Sequence, residues 1–260
     1  MNIYFEPEEA LDLPGLRLVL TAGVPGPWGE AAKSIFHVKG IEYTRVRQRG
    51  GEPNEALLAW TGHANAPQAI LDDEPARTGW AEILMLAERL APSPALVPGD
   101  ERERALAFGL AFEICGEDGL GWNRRLQLLQ PLMSLPDDRG NPALAVGRRL
   151  GLRYGYSEAG AARANERVIA ILRLLSEQLE SQRAAGSEYL VGSALSAVDL
   201  YWSTFAAMIR PLPPESCPMP ESLRMQYGSL TPEIEAALDP ALLAHRDRIY
   251  ERHLELPLDF

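Results

Sequence analysis

A chain of 260 residues, 46% hydrophobic and 23% charged, has the make-up of an ordinary globular protein with one large domain or two modest ones. Its net charge of −11 and pI near 4.9 argue against nucleic-acid binding, which needs a clustered positive surface, and against docking to an anionic membrane. The acidic opening residues do not read as a secretory signal, and no window approaches the roughly 18 apolar residues of a membrane span. Cys115 and Cys217 form no Cys-x-x-Cys pair, so a reducing, cytoplasmic setting is expected. His37, His63, His245 and His253 have no metal-ligand spacing, and no metal is expected.

Up to about residue 90 short strand-like runs alternate with helical ones. Leu16–Thr21 reads as a strand and Gly23–Gly29 as a turn-rich loop. Glu30–Val38 reads as a helix with Ala31, Ala32, Ile35 and Phe36 on one side and Gly40 as its stop. Ile41–Val46 alternates as a second strand. Asn54 is placed to cap a short helix reaching Trp60. Gln68–Leu71 is a third strand, and Thr78–Leu90 a further helix. Strand and helix in alternation predict an α/β unit over residues 1–90.

Residues 91–100 hold three prolines and one glycine and read as a linker. Residues 101–260 read as an all-helical second domain. Glu101–Gly116 is apolar nearly all round from Ala105, as for a buried or interfacial helix. Ser157–Gln182 carries Val168, Ile171, Leu172, Leu175 and Leu179 at helical spacing. Leu195-Ser196-Ala197-Val198-Asp199-Leu200 combines a capping box (Ser196 with Asp199) and a hydrophobic staple (Leu195 with Leu200) at the head of an apolar helix reaching Met208. Cys217 sits in a Pro-rich stretch that reads as an exposed loop. Thr231-Pro232 and Asp239-Pro240 each mark a helix start.

The run Tyr189-Leu190-Val191-Gly192-Ser193-Ala194-Leu195-Ser196-Ala197-Val198-Asp199 resembles a segment of the glutathione-transferase helical domain. Ala66-Pro67-Gln68-Ala69-Ile70 looks like that superfamily's step with a cis proline, where the residue before it pairs with the cysteinyl part of glutathione. Order and spacing of these motifs extend the resemblance over roughly residues 16–255. It implies a thioredoxin-like α/β N-terminal domain, an all-helical C-terminal domain, glutathione as co-substrate, a small-molecule electrophile or disulfide as second substrate, and a homodimer through the helices after Thr78 and Glu101. A binding or regulatory protein that keeps the fold without the chemistry is the alternative.

The resemblance also locates the site. Such enzymes stabilise the thiolate of glutathione with a Tyr or Ser hydroxyl, or use a Cys nucleophile, just after the first strand. Here Pro27 matches the proline that follows that residue, and Gly26 falls on the catalytic position with no side chain. Thr21 falls near the tyrosine-type position. Thr78 and Gly79 fall where a helix N-terminus holds the γ-glutamyl carboxylate, a task backbone N–H groups perform well, with Arg77 beside them. Lys33 stands where an Arg is common. Trp28 either roofs the glutathione and second-substrate pockets or packs in the core, and Trp122 is expected to cover the second-substrate pocket. Glu113, a lone carboxylate in an apolar helix, is either a proton-transfer group in that pocket or an ion-pair partner of Arg124 or Arg125. Cys115 reads as a small buried filler.

Overall fold

The computed structural model describes residues 3–136 and 142–260. The first part comprises α1 (Pro7–Ala10), β1 (Leu16–Thr21), α2 (Pro27–Val38), β2 (Thr44–Gln48), α3 (Glu55–Thr61), β3 (Gln68–Leu71) and α4 (Trp80–Leu90). β1 is central in a sheet ordered β2-β1-β3, parallel to β2 with Val19 opposite Val46, and antiparallel to β3 with Leu18 opposite Ala69. A strand covered on both faces must be apolar on both, and Leu16, Leu18, Val19 and Leu20 are all buried. The three leucines pack with residues of α2 and α4, while Val19 packs with Val46, Leu57 and Ile70. Beyond β3, Arg77 adds a single bridge to Ala69 through two hydrogen bonds of 2.9 Å.

Three local expectations shift, two for a backbone reason and one because a side chain bonds elsewhere. α2 starts at Pro27 rather than Glu30, because a residue without an N–H and with φ already near helical values suits the first turn. The second strand begins at Thr44 rather than Ile41, because α2 ends in a Schellman motif. Gly40, at φ +62, donates to His37 O (3.0 Å), and Ile41 donates to Phe36 O (2.9 Å), which removes Ile41 from the ladder. Asn54 precedes α3 without capping it. Its carboxamide instead closes the loop before it, accepting from Arg49 N–H (2.8 Å) and donating to Arg49 O (2.9 Å) and Glu52 O (2.8 Å).

The second part is all helix: α5 (Glu101–Cys115), α6 (Leu120–Met133), α7 (Pro142–Arg153), α8 (Glu158–Ala184), α9 (Ala197–Phe205), α10 (Glu221–Gly228), α11 (Pro232–Ala237) and α12 (Pro240–His253). Asp100, Ser157, Thr231 and Asp239 cap their helices through the side chain. All nine residues of α9 are buried, and the chain tightens into a 3-10 turn over Ala206–Met208 instead of staying α-helical. At the head of α9 the Asp199 carboxylate accepts from Ser196 N–H (2.9 Å), the Ser196 hydroxyl (2.8 Å) and Leu190 N–H (2.8 Å), and meets His245 Nε2 at 2.9 Å.

One core cluster runs from β1 through α2, α4, α5, α8 and α9, so the α/β and helical parts share their interior. The segment between them is fastened too. Lys39, its side chain fully buried, reaches Ala91 O (2.6 Å), Pro94 O (2.9 Å) and Glu88 (2.8 Å), and Ala197 N–H donates to Leu96 O (2.8 Å). An α/β first part followed by an all-α second part is the expected fold class. Cys217, expected to be exposed, is 1% exposed within a small core of Met208, Leu212, Met219, Tyr227 and Tyr250. Pro213 O accepts from both Ser216 and Cys217 N–H, and this tight turn folds the thiol inward, where burial pushes its pKa up.

Candidate active-site cleft

A cavity of about 530 Å³ lies between the carboxyl end of β1, the start of α2, and helices α6, α7 and α10. That volume suits a small ligand. Of the residues singled out from sequence, Thr21, Gly26, Pro27, Trp28, Ala66 and Pro67 all line it, and the Ala66–Pro67 peptide bond is cis.

At the mouth of α2 the donors belong to the backbone. Gly26 precedes the helix at φ −66, ψ 126, and its own N–H goes to Val24 O at 2.8 Å. A Cβ built there meets nothing within 4 Å, so the position where the resemblance expects a catalytic side chain is open space. Pro27 has no N–H, and Glu30 N–H already takes Gly26 O (2.9 Å). The N–H groups of Trp28 and Gly29 are the helix-end donors left over, at the positive end of the helix dipole. Thr21 is less available than its position suggests, since its hydroxyl donates to Gln48 Oε1 at 2.7 Å.

Trp28 is fixed on several sides. Its indole N–H donates to Cys115 O (2.9 Å), its ring meets Phe205 edge-on at 4.7 Å, and the Arg125 guanidinium stacks on it at 4.0 Å. Gly121 makes this possible, because a Cβ there would stand 2.4 Å from the Phe205 ring and 2.9 Å from Trp28. Trp28 is both a packing residue and a wall of the cavity.

Deeper along α2, Glu30 lines the same cavity and pairs with Lys33 at 3.0 Å. Burial pushes the Glu30 carboxyl up, against the pull of Lys33. Lys33 and Arg45 both hold Asp259, at 3.2 and 3.1 Å, and Phe260 reaches the cavity wall. Segment 254–260 thus ties α2 and β2 to the helical part, with Leu258 N–H on Ser216 O at 2.8 Å.

The other candidates lie elsewhere. Thr78 borders a separate void of about 10 Å³ shared with Trp28 and Pro67. Gly79 stands at the start of α4, where Glu82 reaches back to Gly79 N–H (3.0 Å) and Thr78 N–H (3.3 Å), so a carboxylate of the chain itself covers that helix end. Arg77 pairs with Glu74. Glu113 does not line the cavity. Its side chain is partly exposed and bonds Arg167 on α8 at 2.5 Å, not Arg124 or Arg125. Both arginines turn away from it: Arg124 inward to the carbonyls of Met208, Tyr227 and Ser229, and Arg125 into the cavity. Trp122 is also outside the lining, 5.7 Å from the Arg125 guanidinium. Cys115 is buried as a filler, and burial raises its thiol pKa well above the ordinary value.

Arg125 was not singled out as a lining residue. No local pattern marks it, because the rings against it come from α2 (Trp28) and from the turn after α7 (Tyr154). Burial pushes the Arg125 pKa down and raises that of Tyr227, across the cavity, to about 12.

No protein-family model matches the chain, and no curated protein matches it in sequence. Solved structures do. A glutathione S-transferase from Rhodospirillum rubrum F11 superposes with TM-score 0.60 at 18% identity, over 91% of this chain and 88% of that one. The chain has the glutathione-transferase fold. The β-etherase LigF from Sphingobium sp. strain SYK-6 gives TM-score 0.62 at 17% identity, covering 92% and 96% of the two chains. The nitrogen regulation fragment of the yeast prion protein Ure2p gives 0.61 at 13%, covering 92% and 93%. In this glutathione-transferase fold the cavity lies at the junction of the thioredoxin-like and helical parts. Among the described residues no cluster of His, Cys, Asp or Glu is placed to hold a metal ion, and no helix is long and apolar enough to cross a membrane.

Proposed function

We propose that this protein is a glutathione-dependent transferase in which the sulfur of glutathione, bound as thiolate at the mouth of α2, attacks a small electrophile or disulfide in the adjoining cavity. The observation that carries this reading is the open helix N-terminus at Gly26–Gly29 facing a cavity floored by the cis Ala66–Pro67 step. A free thiol has a pKa near 8.5, and two backbone donors at a helix end favour its anion. Ala66 offers main-chain groups to the cysteinyl portion of the peptide. Thr78 and Gly79 serve its γ-glutamyl carboxylate once Glu82 swings aside. Glu113 and Trp122 belong to the outer flank of the second-substrate side. A structural neighbour from Methylobacterium radiotolerans was crystallised with glutathione sulfonate, which supports the choice of ligand. A thiol co-substrate suits the cytoplasm, and residues 1–90 and 101–260 form the two domains that flank it. The exposed Met85 on α4 and Leu106 and Phe112 on α5 support a homodimer through those helices.

A second reading, a glutathione-binding protein without turnover, is favoured by the absence of a side chain at Gly26 and the engaged hydroxyl of Thr21. Calorimetry with reduced glutathione followed by a thiol-conjugation assay separates the two. Binding with turnover supports the transferase. Binding without turnover supports the second reading, and no binding removes both.

A further inference from the structure

Adjacent arginines on α6 have opposite fates. Arg124 spends its guanidinium on the protein, donating from Nε to Met208 O (2.8 Å), from Nη1 to Gln127 Oε1 (2.5 Å), and from Nη2 to Tyr227 O (3.1 Å) and Ser229 O (3.0 Å). Arg125 spends none of its donors in this way: among the described residues it has neither an ion-pair partner nor a hydrogen-bond acceptor. Its guanidinium is instead held by two rings, Trp28 at 4.0 Å from α2 and Tyr154 at 3.9 Å from the turn just after α7. Stacking occupies the faces of the planar cation and leaves its edges, where all five N–H donors lie, for another partner. Among the described residues the one carboxylate side chain of the cavity wall, Glu30, is paired with Lys33 at 3.0 Å.

Arg125 is half-buried and none of its nitrogens is sealed from solvent, so its donors open on the cavity, where a ligand acceptor can meet them. Around Arg125 the cavity is apolar, with Leu128, Leu132, Val146 and Leu150 on α6 and α7. We infer that Arg125 is the anion-recognising element of an acceptor subsite, and that the molecule it takes is a small hydrophobic carboxylic acid. The apolar body lies against the leucines and the carboxylate bonds the free edge of the guanidinium. A carboxylate matches that edge two atoms to two. The inference rests on the cavity being the second-substrate side of the proposed transferase, but its test does not require glutathione.

The full chain is titrated calorimetrically, without glutathione, with 3-phenylpropionate and with the neutral isostere 3-phenylpropionamide. The acid is expected to bind at least ten-fold more tightly. In Arg125→Gln the preference is expected to fall to within two-fold, provided that its melting curve remains cooperative. If that variant does not fold, the acid-to-amide ratio of the unaltered protein decides alone. Equal binding of acid and amide, or a preference that survives in folded Arg125→Gln, overturns the inference and leaves Arg125 as a packing residue. A separate glutathione titration keeps the two readings apart. Acid preference without glutathione binding retires the transferase and keeps the subsite, and the reverse result does the opposite.

Discussion

Gly26 is the residue on which the proposed chemistry turns. It lacks a side chain where one would be most useful, yet its φ and ψ are ordinary for any L-residue and its Cβ direction is empty. Gly26→Ser should therefore fold with a stability change within about 0.5 kcal/mol. The new hydroxyl would stand beside the donors of Trp28 and Gly29. One well-aimed donor to a developing or resident anion is worth on the order of 10²-fold in rate. The expected outcome is at least a ten-fold gain in thiol conjugation, read from initial rates at saturating glutathione. A variant that binds glutathione but turns over no faster would count against α2 as the thiolate site. Arg125 gives the opposite lesson about what a sequence reveals. Its importance comes from rings 97 positions earlier and 29 later, Trp28 and Tyr154, whose convergence no local pattern encodes. Glu113 misled for the same reason, since its partner Arg167 lies on a helix three elements away.

At the level of elements, the head of α9 was the most legible feature, because capping and stapling are local and their spacing is written in consecutive residues. What spacing could not convey is how much else converges on Asp199. Besides Ser196, its carboxylate takes Leu190 N–H and meets His245 of α12, and both side chains of the latter pair are fully buried. Asp199→Ala removes the acceptor for all of them at once. Leaving buried donors without their acceptor costs about 1–3 kcal/mol for each group, so the denaturant midpoint should drop steeply, or folding should fail outright. A loss below about 1 kcal/mol, the size of an ordinary surface cap, would mean that the network contributes no more than its local arm. The strand and helix boundaries that shifted did so at Pro27 and Gly40, where backbone geometry overrode side-chain alternation.

For the whole molecule, the α/β and helical parts are joined not only by a common core but by segment 254–260, whose Asp259 binds Lys33 of α2 and Arg45 of β2. Burial raises the Asp259 carboxyl pKa, but Arg45 and Lys33 outweigh it and leave the value below the ordinary one. A depressed carboxylate pKa stabilises the fold above the unfolded value, near 3.9, and that contribution fades as pH falls through the folded value. Hydrogen-exchange protection of amides 254–260 should thus hold from pH 7 to about 4 and decline below that. In Asp259→Asn it should be low already at pH 7 and no longer respond to acid. Protection that is the same in both proteins would show that the segment is held by Leu258 and Phe260 alone. None of this was visible in the chain read end to end, because a strap is defined by the distant residues it crosses.

Only two lysines occur among 25 basic residues: Lys33 within α2, beside the cavity, and Lys39 just past its end, under the joint between the parts. Each ammonium is locked in an ion pair, so amine-directed acylating reagents find neither side chain free in the closed molecule. Modification of Lys33 would signal loosening of the strap, and modification of Lys39 separation of the two halves. The protein carries, without any added label, a pair of chemical reporters that stay silent until it opens.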